Sequence, residues 1–150
     1  MSLRYHITKF EDLNLHLLYQ ILRLRQEVFV VEQDCAYLDA DGLDEQSYHV
    51  IGIDPNDTVQ AYARVLPAGH SYPEYASIGR VVTSPAYRGQ GEGLRTMQRS
   101  LALARSLDWT PIKLSAQVYA IPFYEQLGFR SVGDEYLEDG IPHIGMIIDW

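Results

Sequence analysis

Residues 87–96 read YRGQGEGLRT, with glycine at alternate positions 89, 91 and 93 just ahead of a helical pattern. Glycine loses more conformational entropy on folding than any other residue and adds no side chain to a core. A chain that places three of them here needs bare backbone. The segment that follows puts Leu94, Met97, Leu101 and Ala104 on one helical face. The first four N–H groups of such a helix have no intrahelical partner, and its dipole adds positive potential at the same end. Together these features predict an anion site suited to phosphate, with Arg88 adding a positive charge at its rim. Glu92 would repel a bound phosphate, so its side chain is expected to point to solvent. A flexible surface turn is the alternative that glycine content alone leaves open.

Several other phosphate-binding patterns fail on this stretch. A dinucleotide fingerprint needs Gly-x-Gly-x-x-Gly, but Leu94 stands where the third glycine should be. The kinase glycine loop fails for the same reason. No Gly-Lys-Ser/Thr run follows four spacer residues, so a P-loop is excluded as well.

The rest of the chain alternates strand and helix signals. RYHITK (4–9) reads as a strand, and Leu17, Ile21, Leu24 and Val28 recur at helical spacing between Leu13 and Phe29. A polar loop over 32–47 follows. YHVIGI and VQAYARVL flank a DPNDT turn and form a hairpin, and SIGRVVT is a further strand. After the glycine-preceded helix come IKLSA as a strand and AIPFYEQLGF as a short helix stopped by Gly128. RSVGDEYL and HIGMIID then flank a turn at 138–140. The order β-α-β-β-β-α-β-α-β-β predicts a mixed sheet with helices on its faces, not a strictly alternating doubly wound fold. No linker or repeat divides residues 1–150, so one domain is expected.

Composition limits partners. The formal net charge is −8, with Lys9 and Lys113 the only lysines. Such a surface repels nucleic acid and anionic membranes and would suit a cationic substrate, although simple solubility explains it equally well. No apolar run reaches the ~18 residues of a membrane span, and the first residues lack a signal-peptide pattern. Cys35 stands alone, so no internal disulfide can form, which fits a reducing, cytoplasmic setting. The five histidines are scattered and no CxxC or HExxH occurs, so no metal is expected.

The stretch SIGRVVTSPAYRGQGEGLRTMQ resembles motif A of the GNAT superfamily of N-acetyltransferases, Arg/Gln-x-x-Gly-x-Gly/Ala, through Arg88, Gly91 and Gly93. LRLRQEVFVVEQDCAYLDADGLDEQSYHV and FYEQLGFRSVGDEYLEDGIPHIGM resemble the ElaA-like branch of that superfamily. The resemblance covers most of the chain. It implies an α/β fold with a mixed, largely antiparallel central sheet flanked by helices. It also implies that acetyl-CoA is a co-substrate. Its diphosphate would meet Arg88, Gly89, Gln90, Gly91, Glu92, Gly93 and Leu94, and its pantetheine arm would run along a bulged strand at Val81, Val82 and Thr83. A homodimer is compatible with that family.

Amide formation from a thioester needs a neutral amine, a donor for the developing oxyanion and a proton for the leaving thiolate. The resemblance makes Tyr124 the proton donor and a main-chain N–H near Val82 the oxyanion donor. Without it, Tyr124 reads as a core residue beside Phe123 and Phe129. Glu32, His143 and His49 are candidate bases, with His49 the most ordinary as a packed side chain; a water chain could replace all three. Asp39, Asp41, Asp44 and Glu45 in one loop, with Glu135, Glu138 and Asp139 in another, would attract an amine if both rim one cleft; otherwise they are solvated loops. The expected activity is transfer of an acetyl group to a primary amine of a small molecule or protein. A non-catalytic acyl-CoA-binding module is the alternative, and it would not need Tyr124.

Overall fold

The structure, a computed structural model, describes residues 3–150. The expectation of one domain over 1–150 therefore reaches Met1 and Ser2, which lie outside the described residues. Seven strands form one sheet: β1 (Arg4–Lys9), β2 (Tyr48–Ile53), β3 (Val59–Leu66), β4 (Ala76–Thr83), β5 (Ile112–Gln117), β6 (Arg130–Glu138) and β7 (Ile141–Ile148). Their spatial order is β1-β2-β3-β4-β5-β7-β6. Every neighbouring pair is antiparallel except β4 and β5.

Strand alternation sends successive side chains to opposite faces, and each face receives a helix. Ile51, Ile53, Tyr62 and Val82 pack with Ile21, Leu24 and Val28 of α1 (Leu15–Arg25) and the turn after it. Val50, Ala63, Val65 and Ile78 pack on the other face with Met97, Leu101 and Ala104 of α2 (Glu92–Ser106). A short α3 (Ile121–Glu125) joins the second core through Phe123 and Tyr124.

The expected first helix is shorter than its apolar pattern. Asn14 caps it, its side chain accepting from the Leu17 N–H at 2.8 Å. Beyond Arg25 the chain widens into a π-helical segment, Gln26–Glu32, whose end shows in Gln33 N–H donating to Val28 O at 3.1 Å. The apolar stripe continues through Val28, so periodicity alone could not show this change.

Two irregularities shape the middle of the sheet. The parallel pairing of β4 with β5 is confined to Ala76–Ile112 and Ser77–Lys113, after which the strands part. On its other side β4 keeps its ladder with β3 but bulges: Arg64 faces Gly79 and Tyr62 faces Val82. Arg80 takes φ +52° within that bulge, a left-handed conformation uncommon for a non-glycine residue. From Ile78 to Thr83 the strand is therefore unpaired by β5 along the edge that faces the gap.

Candidate active site

The gap between β4 and β5 opens into a cleft of about 510 Å3. Gly79, Arg80 and Val81 line it from β4; Leu114, Ser115 and Gln117 line it from β5. Tyr124 lies in its wall, as do Tyr37, Tyr72, Tyr119 and Tyr136. The loop after the π-helical segment crosses toward β5 and the β6–β7 turn: Gln117 Nε2 lies 3.4 Å from Gln33 Oε1, and Cys35 Sγ lies 3.7 Å from Asp139 O.

The glycine loop stands beside this cleft, not in its wall. Gly91 is the N-cap of α2 at φ +82°, and no side chain caps the helix. The first bond there is Arg95 N–H to Gly91 O at 3.1 Å. The Glu92, Gly93 and Leu94 N–H groups thus open the helix without intrahelical acceptors. At Gly89, φ +76°, an added Cβ would meet nothing within 4 Å, so the backbone there faces open space. These orphan donors and the uncovered backbone at Gly89 fit a diphosphate, and the β4 edge at Val81, Val82 and Thr83, unpaired by β5 but with Thr83 O bound by Arg88 Nε, fits an extended amide-bearing arm. Gln90 contributes through its carbonyl, which accepts from Arg95 Nη2 at 2.7 Å.

Glu92 corrects the sequence expectation. Its side chain does not face solvent; the residue is 1% exposed. Arg95 Nε and Tyr5 OH each donate to Oε1 at 3.0 Å. Burial alone would raise its carboxyl, but the bonds from Arg95 and Tyr5 outweigh that and hold it below the usual range. The charge feared for a phosphate is therefore turned inward and countered. Arg95 braces the loop from both Glu92 and Gln90, a role missed in the sequence although the i, i+3 spacing of Glu92 and Arg95 hinted at it.

Arg88 and Glu32 also differ from expectation. Arg88 donates through both Nη atoms to Glu32 at 2.6 and 2.8 Å, and through Nε to Thr83 O at 3.1 Å. Its charge at the rim is already countered, which leaves the backbone as the main anion donor. Glu32 is a poor base for the same reason: the bond from Arg88 lowers its carboxyl. His49 is a packed side chain, its Nδ1 2.6 Å from Tyr62 OH and its Nε2 3.0 Å from Asp44 O.

Tyr124 and His143 do meet the cleft. Burial pushes the Tyr124 phenol up to about 12, so it keeps its proton at neutral pH. Phe123 and Phe129 hold its ring edge-on at 5.1 and 5.9 Å between centroids. The core reading holds for its ring, and the same residue also lines the cleft. His143 has Nδ1 2.7 Å from Ile141 O. A carbonyl only accepts, so Nδ1 carries hydrogen and neutral His143 keeps its lone pair on Nε2. That nitrogen lies 3.5 Å from Glu138 Oε2.

The acidic loop is neither an open amine trap nor a solvated loop. Asp39, Asp41 and Asp44 alternate with Arg25, Arg64 and Arg80 in a closed ring of ion pairs. Arg25 bridges Asp39 at 2.8 Å and Asp44 at 2.6 Å. Arg64 bridges Asp44 and Asp41, and Arg80 bridges Asp41 and Asp39. Three positive and three negative charges cancel. The ring ties α1, β3 and the loop to Arg80, the residue in the strained bulge, and so fixes the edge of β4 that borders the cleft. Glu45 stays exposed and Glu135 lies outside the cleft, while Glu138 and Asp139 line it with Asp41.

A parted β4–β5 pair, a bulge on β4 and an uncapped glycine-rich entry to α2 frame the candidate site. Residues 25–150 match the family described as "Acetyltransferase (GNAT) domain", and the chain belongs to that family. An acyl-CoA N-acyltransferase from Pseudomonas aeruginosa is 44% identical, and its crystal structure superposes with a TM-score of 0.91 over 97% of this chain and 99% of that one. Protein ElaA of Escherichia coli is 42% identical over 139 residues, 90% of this chain and 89% of that protein. The crystal structure of ElaA gives a TM-score of 0.89 over 97% of this chain and 98% of that one. The mixed, largely antiparallel sheet expected from the resemblance is the sheet observed.

Proposed function

We propose that this chain transfers an acetyl group from acetyl-CoA to a primary amine by direct attack within one ternary complex. The observation that carries the reading is the continuity of three features: orphan N–H groups at α2, the free bulged edge of β4, and a cleft that holds Tyr124. Acetyl-CoA supplies the activated acyl group as a thioester. The backbone of Gly89–Leu94 holds the diphosphate, and Val81, Val82 and Thr83 align the arm so that a main-chain donor near Val82 meets the developing oxyanion. His143 Nε2 takes the proton from the incoming ammonium, and Tyr124 gives its proton to the departing thiolate. Membership of the family and the acyl-CoA-linked neighbour support this assignment. A cytoplasmic setting accords with the single Cys35.

Replacing Tyr124 with Phe tests the reading, using thiol release from acetyl-CoA as the assay. The turnover number should fall ~100-fold, while acetyl-CoA should still raise the melting temperature as it does for the parent protein. An unchanged turnover number would remove Tyr124 from the chemistry. Equal stabilisation by ATP or NAD would remove acetyl-CoA as the co-substrate.

A further inference from the structure

Arg88 and Glu32 form a pair to which the proposed chemistry gives no task. Glu32 ends the π-helical segment, and Arg88 stands just ahead of the glycine loop, 56 residues further on. The guanidinium divides its donors between two partners. Nε bonds Thr83 O at 3.1 Å, which ties the group to the end of β4. Nη1 and Nη2 turn together onto the two oxygens of Glu32, at 2.6 and 2.8 Å. A guanidinium offers that paired geometry to a carboxylate and to a phosphate alike.

The pair is placed to exchange. Both side chains are 42% exposed, and an exposed pair of this kind stabilises a fold little. Arg88 keeps its position through Thr83 O even when its Nη donors are released. A replacement for Glu32 has its seat close by. The Glu92, Gly93 and Leu94 N–H groups open α2 a few residues on, and Gly89, next to Arg88, faces open space. A diphosphate seated on those donors carries more negative charge than one carboxylate and presents the same paired oxygens. While Glu32 holds Arg88, an incoming diphosphate meets a guanidinium whose charge is already countered.

We propose that Glu32 is an internal competitor for Arg88 and thereby sets the affinity for the co-substrate. The proposal rests on the acetyl-CoA reading above and adds an affinity-determining residue to it. In the free protein the Glu32 carboxylate stands in for a phosphate on the Arg88 fork. Binding passes the two Nη donors from Glu32 to the diphosphate, and Glu32 turns to solvent. The free energy of the broken pair is subtracted from that of binding. Acetyl-CoA and its thiol product carry the same diphosphate, so Glu32 reclaims Arg88 as the product leaves.

Calorimetry of acetyl-CoA and of CoA on the full chain tests this in a double-mutant cycle of Glu32→Gln and Arg88→Ala. Glu32→Gln should tighten both ligands ~5-fold, the scale of one exposed ion pair. Damage to the fold weakens binding, so a tighter complex cannot arise from it. In the Arg88→Ala background the same change should alter the dissociation constant by less than ~2-fold, because no guanidinium is left to release. Weaker binding by Glu32→Gln would make Glu32 a clamp that holds Arg88 over the ligand, and would overturn the proposal. Unchanged affinity would overturn it too. A gain that survives Arg88→Ala would reveal plain charge repulsion in place of competition for the arginine, and would also overturn it. In all three cases acetyl-CoA still binds the parent protein and the acetyl-transfer reading stands. Absence of binding to the parent would sink that reading and this inference with it.

Discussion

The loop at 89–91 and the loop at 39–44 flank the same gap but act through different atoms. The first works through its main chain: positive-φ glycines and uncapped N–H groups offer partial positive charge without any side chain. The second works through side chains, and its three aspartates are satisfied by arginines from α1, β3 and β4. The backbone device leaves donors free for a ligand. The side-chain device engages every one of its aspartates and acts as a clamp, with Arg64 Nε the donor it leaves unpaired. A high density of acidic residues is therefore no measure of available negative charge.

The clamp predicts the largest stability effect. Arg25→Met leaves Asp39 and Asp44 without that partner in a buried setting, and should cost ~3–5 kcal/mol in urea unfolding. A loss below ~1 kcal/mol would mean that the ring opens freely to water. Acid should probe the same region without mutation. The folded protein holds Asp41 and Asp44 below the usual carboxylate range, burial opposing and the arginines outweighing it. Their stabilising contribution is present above the unfolded carboxylate value of ~3.9 and fades as pH falls below it. Burial also lowers His49, so the unfolded state binds its proton first and some stability is lost earlier, below ~6.5. Melting temperature against pH should therefore fall in two stages, and a single transition would break the comparison.

The backbone device predicts smaller losses that appear in ligand binding. Gly91→Ala forces a side chain to φ +82°, which should cost ~1–2 kcal/mol of stability and weaken acetyl-CoA ~10-fold by calorimetry. Arg88→Ala removes an exposed pair with Glu32 and should change stability by only ~0–1 kcal/mol. Its effect on acetyl-CoA should be smaller than that of Gly91→Ala. The reverse order would make the guanidinium, not the backbone, the phosphate reader.

Much of the frame was legible along the chain. The strand at 4–9, the DPNDT hairpin, the face of Met97, Leu101 and Ala104, and the stop at Gly128 all follow from local patterns and stand as expected. Asp54 shows why the turn could be read: its Oδ1 accepts from the Asn56 and Thr58 N–H groups, all within five residues. Within the candidate site the local backbone was legible: Gly89 and Gly91 take positive φ, and α2 starts without a side-chain cap. It was misread where partners are distant. Arg80 and Asp39 are 41 residues apart, and Tyr5 reaches Glu92 across 87. Nothing local in the sequence marks either pairing.

By itself the sequence determined where backbone is bare, where helices begin and end, and which side chains face inward, because hydrophobic period, capping and glycine content act within a few residues. Only the tertiary structure decided that β4 and β5 part after two pairs, that three aspartates are consumed by three arginines, and that Glu92 turns inward to Arg95. Those outcomes depend on which elements become neighbours. Ion pairing and strand separation are fixed by distances in space, and those exist only once the sheet has closed around its two cores.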